Sequence, residues 1–312
     1  MYKLLRYYNQ NRYKIWSVII TVIIILSVIK ILNFYLKNKK QDNKEDKETT
    51  SNVVSYDNES KSMVTEKSVP EKYREDFGKF INQFLTYCTE HDPQTAYSML
   101  SSDTKQELYQ TETLFEKNYY ESKFLGDKQF SFQSWSTSDD YYVYMVKIFD
   151  NMLATGQTSD NYIEDYITLK VENGEYKINL NGYLGKEMIN KNAENDSIGV
   201  EIIKVDKYLD YQIYTINIQN KTNRNVMMDT RRKTNSCYVM DKKENKFSAL
   251  LYENKDEDLS LKPKEVKTIR IKFSVANREN LEIKSINFTD IVDSDEYSKN
   301  ANIEGKTFTV DI

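Results

Sequence analysis

Apolar residues along this chain fall into stretches with three different spacings. Residues 16–36, WSVIITVIIILSVIKILNFYL, are apolar on every face. As a helix they would be roughly 31 Å long, the thickness of a bilayer's hydrocarbon core. Trp16 opens the stretch and Phe34 with Tyr35 closes it, the amphipathic rings expected at two membrane interfaces. Lys30, the one charge inside, lies close enough to an end for its ammonium to reach the headgroups. The pattern predicts a transmembrane helix over 16–36 anchored by Trp16, Lys30, Phe34 and Tyr35. A cleaved signal peptide fits poorly, because the exit NFYLKNKK offers no small-x-small cleavage site.

Lys3, Arg6, Arg12 and Lys14 precede the span, and Lys37, Lys39, Lys40, Lys44 and Lys47 follow it. The positive-inside count is therefore close to a tie. A short tail (1–15) kept in the cytoplasm, with the rest outside, is the usual outcome for one uncleaved N-terminal span. Residues 37–67 are Lys, Asp, Glu, Asn, Ser and Thr without periodicity, which predicts a disordered linker.

Helical spacing begins at Ser68, whose capping box closes at Glu71. Tyr73, Phe77, Phe80, Ile81, Phe84, Leu85 and Cys88 then share one face. Asp92-Pro93 starts a second short helix, Asp103 or a neighbouring serine caps a third, and Thr111 or Thr113 a fourth. After Gly126 the period changes to two in KQFSFQSW, YYVYMVKIF and DYITLKV, and Asn173-Gly174 marks a hairpin. Helices followed by an antiparallel meander predict an α+β domain over 68–190, with helices on one face of a curved sheet.

From 196 to 312 the chain reads as about eight short strands separated by polar turns, a β-sandwich. The polar stretch KNAENDS (191–197) reads as the connection between two domains that fold independently.

Composition narrows the chemistry. Lys and Arg number 44 against 48 Asp and Glu, so the net charge is −4 and no broad basic field exists to hold nucleic acid. One His and two Cys leave little room for His- or Cys-based catalysis and no metal-ligand cluster. Cys88 falls on an apolar face and reads as core rather than nucleophile. His91 sits at a helix-to-helix turn beside Asp92. Asp139-Asp140 and Glu164-Asp165 are adjacent pairs whose members point to opposite faces of a strand. Trp135, Tyr141, Tyr142 and Tyr144 either line a pocket or fill core and rim. Arg231-Arg232-Lys233 is a solvated loop or, more sharply, a contact for an acidic polymer or lipid. Asp256-Glu257-Asp258 and Asp293-Ser294-Asp295 lack the spacing and glycine of a calcium loop. No P-loop, G-x-G-x-x-G, CxxC, G-x-S-x-G or HExxH is present. These residues predict no catalytic, cofactor-binding or metal site.

AYSMLSSDTKQELY (96–109), TLFEKNYY (113–120) and DYITLKVENGEYKINLNGYLG (165–185) together resemble the nuclear transport factor 2-like, or cystatin-like, cone fold. The layout is similar to uncharacterised membrane-anchored proteins of clostridia. Members of that superfamily include isomerases and dehydratases with a pocket between helix and sheet, and also scaffolds of conjugative secretion machines. DYQIYTINIQNKTNRNVMMD (210–229) and LSLKPKEVKTIRIKFSV (259–275) resemble immunoglobulin-like modules of Gram-positive surface proteins. The resemblance implies a single-pass scaffold of the cell envelope, with a partner protein or wall component outside the membrane. A ligand sensor using the cone pocket is the alternative, and an enzyme comes last.

Overall fold

The computed structural model describes residues 71–138, 141–151, 161–278 and 280–312. The expected tail 1–15, the span 16–36 with Trp16, Lys30, Phe34 and Tyr35, and the linker 37–67 lie outside the described residues, as do Ser68 and Asp139-Asp140. Among the described residues no helix is long and apolar enough to cross a membrane. The expectation of a transmembrane helix or signal anchor is therefore corrected for this part of the chain.

Helix α1 runs from Glu71 to Thr89. Phe77, Ile81, Phe84, Leu85 and Cys88, at three- and four-residue spacing, are at most 1% exposed. Then come α2 (Pro93–Ser98), α3 (Ser102–Glu107) and α4 (Glu112–Phe115). Each is opened by a side-chain cap: Asp92 accepts from the Thr95 amide, Ser101 from Thr104, and Thr111 from Leu114. A π-helical turn, Glu116–Tyr120, leads into α5 (Glu121–Phe124). The extra residue in that turn brings neighbouring Tyr119 and Tyr120 both inward, at 0% and 7% exposure.

Strands β1 (Lys128–Ser138), β2 (Tyr141–Asp150), β3 (Ile163–Glu172) and β4 (Glu175–Asn179) pair antiparallel in chain order. Asn173 and Gly174 turn β3 into β4, both with positive φ (54° and 83°), as a two-residue hairpin turn needs. Period-two alternation sends Phe130, Phe132, Tyr144, Val146, Ile148, Ile167 and Leu169 into one core with the helices.

The expected α+β cone is overturned. The described residues are β-rich, 47% strand against 24% helix, and α1 alone among the described helices exceeds two turns. The cause is local. The apolar spacing after Pro93 is real, but a new cap at Ser101 and another at Thr111 restart the chain every few residues. Single helical turns result instead of the long helices that lie across a cone.

The remaining strands form two further sheets. β5 (Tyr183–Glu194), β6 (Ile198–Tyr208), β7 (Gln212–Asn220) and β12 (Val266–Phe273) lie in the order β12-β7-β6-β5. Opposite them stand β8 (Val226–Met227), β9 (Cys237–Asp241), β10 (Lys246–Ser248), β11 (Ser260–Leu261), β13 (Ile283–Asp293) and β14 (Lys306–Asp311), with β13 paired to β9, β8 and β14. Short helices α6 (Asp256–Leu259) and α7 (Ser294–Lys299) cap loops between them. Ile202, Ile216 and Ile271 from one sheet meet Val239, Ile286 and Val310 from the other, all fully buried.

β5 pairs with β6 from Tyr183 opposite Tyr208 to Glu194 opposite Gly199. Residues 191–197 are thus a strand end and a turn, not a connection between domains. The chain passes from the first sheet to the second at 180–182, where the Gly182 amide donates to Tyr166 O (2.8 Å) and the Leu209 amide to Gly182 O (3.0 Å).

Candidate functional site

The interior between helices and first sheet carries a polar thread. The Tyr119 hydroxyl donates to Asp165 Oδ2 at 2.8 Å, and Lys123 Nζ meets the same oxygen at 2.8 Å. Lys123 also reaches Asn181 Oδ1 (2.9 Å), whose amide donates to the Tyr109 hydroxyl (2.7 Å). Burial pushes the Tyr109 phenol up to about 12 and, with the Asp165 charge in support, Tyr119 well above its ordinary value. Ring packing fills the space around the thread. Phe115 stacks on Tyr119 at 5.4 Å, and Phe84 and Phe124 close in at 6.4 and 6.1 Å.

The residues singled out from sequence disperse. Asp165 points inward at 4% exposure, while Glu164 accepts from the Tyr166 hydroxyl on the other side of the strand. Tyr144 is in the helix-facing core and Tyr142 lies 4.5 Å from Phe77. Trp135 and Tyr141 face the opposite way and pack with Val143, Leu184 and Leu209. These four aromatics do not line one pocket. Exposed His91 has Nδ1 2.6 Å from the Tyr120 hydroxyl. Cys88 and Cys237 are free and buried, and burial raises both thiols far from reactivity.

A second constellation joins the helical region to the sandwich. Glu107, on α3, pairs with Lys204 of β6 and with Lys186 of β5 at 3.2 Å. Asp103 holds Lys170 of β3 at 3.0 Å and Lys186 at 3.8 Å. Fully buried Asp206 meets Lys204 at 3.3 Å and Arg270 at 3.4 Å. Burial raises the Glu107 carboxyl, but bonds from the two lysines outweigh it and hold the group below its usual range. For Asp206 burial wins and the carboxyl is raised. Sequence reasoning missed this network, because its members are 79 and 97 residues apart.

The third constellation borders a cleft of about 500 Å³ at the end of the sandwich. The β5–β6 turn, the β7–β8 loop, the end of β13 and the chain leading into β14 enclose it. Its floor is Ile198, Val226, Ile291 and Phe308, all buried. Arg224 Nη1 spans one wall, 2.7 Å from Glu296 Oε1 and 3.4 Å from Asp293 Oδ2. Asp290, at a bulge in β13, lies behind the cleft, against the Gly305 that separates the lining residues Glu304 and Lys306. Arg232 grips it through Nη2 (2.7 Å) and Nε, and sends Nη1 to Ala301 O at 2.6 Å. Gly305 presses on the same carboxylate: a Cβ there would stand 2.4 Å from Oδ1 and 2.5 Å from Cα of Asp290. Burial raises the Asp290 carboxyl, yet the bonds from Arg232 and Thr230 hold it below the ordinary value.

The Arg231-Arg232-Lys233 run is therefore a surface loop whose charges are already paired within the chain, not an open anion contact. Arg231 binds Asp256 (2.7 Å) and Asn254 O (2.6 Å), and Lys233 lies 3.4 Å from Asp290. Asp256-Glu257-Asp258 form the first turn of α6, and Asp293 caps α7 through the Asp295 and Glu296 amides. Among the described residues no group of three His, Cys, Asp or Glu side chains is placed to hold a metal ion.

No family model matches this chain, and no curated protein does. A 2.2 Å crystal structure of a conserved hypothetical protein from Bacillus anthracis is similar over 31% of this chain and 94% of its own, at 15% identity. Its TM-score of 0.23 is too low to carry an argument about fold or function.

Proposed function

We propose that this is a single-pass, membrane-anchored interaction or scaffold protein of the bacterial cell envelope, with residues 71–312 outside the membrane. The sequence of 16–36 and the polar spacer 37–67 support the tether and the placement. One observation carries the scaffold reading. The paired charges of Asp103, Glu107, Lys186 and Lys204, beside the apolar seam of Val143, Leu184 and Leu209, tie two separate cores together. A body built this way presents its surfaces at fixed spacing, which suits docking.

The sensor alternative places a ligand between helices and first sheet. That interior is packed with Phe84, Phe115, Tyr119 and Phe124, all fully buried, which counts against it.

Two measurements test the proposal in living cells. Trypsin added to intact protoplasts should cut within 37–67 and release the rest of the chain. Protection until lysis would overturn the external placement. Photo-crosslinkers placed one at a time at exposed Tyr252, Val266 and Asn223 should trap the same envelope component from at least one position. Absence of any specific adduct at all three would remove the scaffold role.

A further inference from the structure

The cleft at the sandwich end is a built site rather than a gap in packing. Its lining is held independently of any occupant: Arg224 spans Asp293 and Glu296, and behind Glu304 and Lys306 the intervening Gly305 is pressed on Asp290, which Arg232 grips. Its volume falls within the range of about 300–1,000 Å³ typical of ligand sites. Preformed walls spare an incoming chain the cost of ordering them.

Charge around the mouth is unevenly spent. Arg224 is shared between Asp293 and Glu296, which leaves one negative charge over, and Arg232 is committed to Asp290. Glu304 and Lys306 are exposed and form no ion pair among the described residues. They flank Gly305, Lys306 opens β14, and Phe308 follows two residues on, on the same side of the strand as Lys306. All three border the cleft, Phe308 buried as part of its floor, Glu304 and Lys306 at its lip. A free carboxylate and a free ammonium thus stand beside an apolar floor of Ile198, Val226 and Ile291.

We propose that this cleft takes a peptide segment of a partner protein, with adjacent aliphatic side chains between a basic and an acidic residue. The aliphatic pair fills the floor, the basic residue meets Glu304, and the acidic residue meets Lys306. A simple polyanion is a poorer match, since Asp293, Glu296 and Glu304 all lie at the mouth. The inference deepens the scaffold reading and rests on it for the choice of a protein partner.

The test uses the full chain in detergent micelles and fluorescently labelled tetrapeptides, acetylated and amidated at their ends. Lys-Ile-Leu-Glu should bind saturably, and Lys-Ser-Ser-Glu should not. Glu304→Gln and Lys306→Gln, both at exposed positions, should each weaken binding by about threefold, the size of an exposed ion pair. Glu304→Gln should also stop distinguishing Lys-Ile-Leu-Glu from Gln-Ile-Leu-Glu, the signature of a direct pairing. Circular dichroism of each variant verifies the fold. Equal binding of the aliphatic and serine peptides, no binding of either, or affinity unmoved by both neutralisations would overturn the proposal. In-cell adducts at Tyr252 or Val266 alone, with no peptide binding, would leave the scaffold reading standing and remove the cleft from it.

Discussion

Glu107, on a helix of six residues, and Lys204, on a strand 97 positions later, form an ion pair whose side chains are each 17% exposed. Lys186 shares the same carboxylate, so one acid from the helical region receives two bases from the sandwich sheet. Glu107→Gln should cost about 2 kcal/mol in urea unfolding, the scale of a hydrogen bond to a charged group out of bulk water. Adding Lys204→Gln should cost less than the sum of the two single changes. Strict additivity would mean the pair contributes nothing as a pair.

Gly305→Ala should destabilise by about 1–3 kcal/mol, because the new methyl overlaps main-chain atoms of Asp290 that cannot swing away. Gly199→Ala is the control. Its Cβ would meet Gln219 at an ordinary 3.6 Å, so a change within about 0.5 kcal/mol is expected by thermal or urea unfolding.

Two buried aspartates near one another should respond to pH with opposite sign. Burial raises the carboxyl of Asp229, so the folded state holds its proton more tightly and the ionised form costs stability. Asp229→Asn should stabilise at pH 7, the gain disappearing as pH falls to about 4. Asp290 is held below its usual value and contributes stability that is present above the unfolded pKa and lost as pH falls through the folded one. Asp290→Asn should destabilise at pH 7 and lose that effect in acid. Unfolding curves at a series of pH values separate the two.

Tyr119→Phe removes a buried donor from Asp165 while leaving its ring contacts, and should cost about 1–3 kcal/mol. Hydrogen exchange of the π-helical turn should quicken with it, since the hydroxyl links that turn to β3.

A fragment of residues 182–312 should unfold cooperatively, whereas 196–312 should not, because the shorter piece strips β5 from the edge of β6. Calorimetry of the two fragments decides this. Cooperative unfolding of the shorter piece would restore the boundary expected from the polar stretch 191–197.

Features decided by neighbouring residues were legible from sequence. The Asn173-Gly174 turn rests on left-handed backbone angles that few residue pairs tolerate, and the face of α1 through Cys88 follows from helical period alone. Caps at Asp92 and Thr111 are readable too, and with them the shortness of the helices they open; the cone comes from the family resemblance, which does not carry that constraint. Long-range pairing was illegible. Asp165 meets Tyr119 across 46 residues, and Arg232 meets Asp290 across 58. A basic triplet read alone looks like an open surface feature; what occupies Arg232 and Lys233 is a carboxylate, Asp290, set at a β-bulge in another strand. The cleft was invisible for the same reason, since four separate segments enclose it.

The three-residue passage at 180–182 is hydrogen-bonded on both sides, to Tyr166 and to Leu209. No swivel is left there. A force applied between the helical region and the far end of the sandwich would pass through that one backbone crossing and along the β5–β6 ladder.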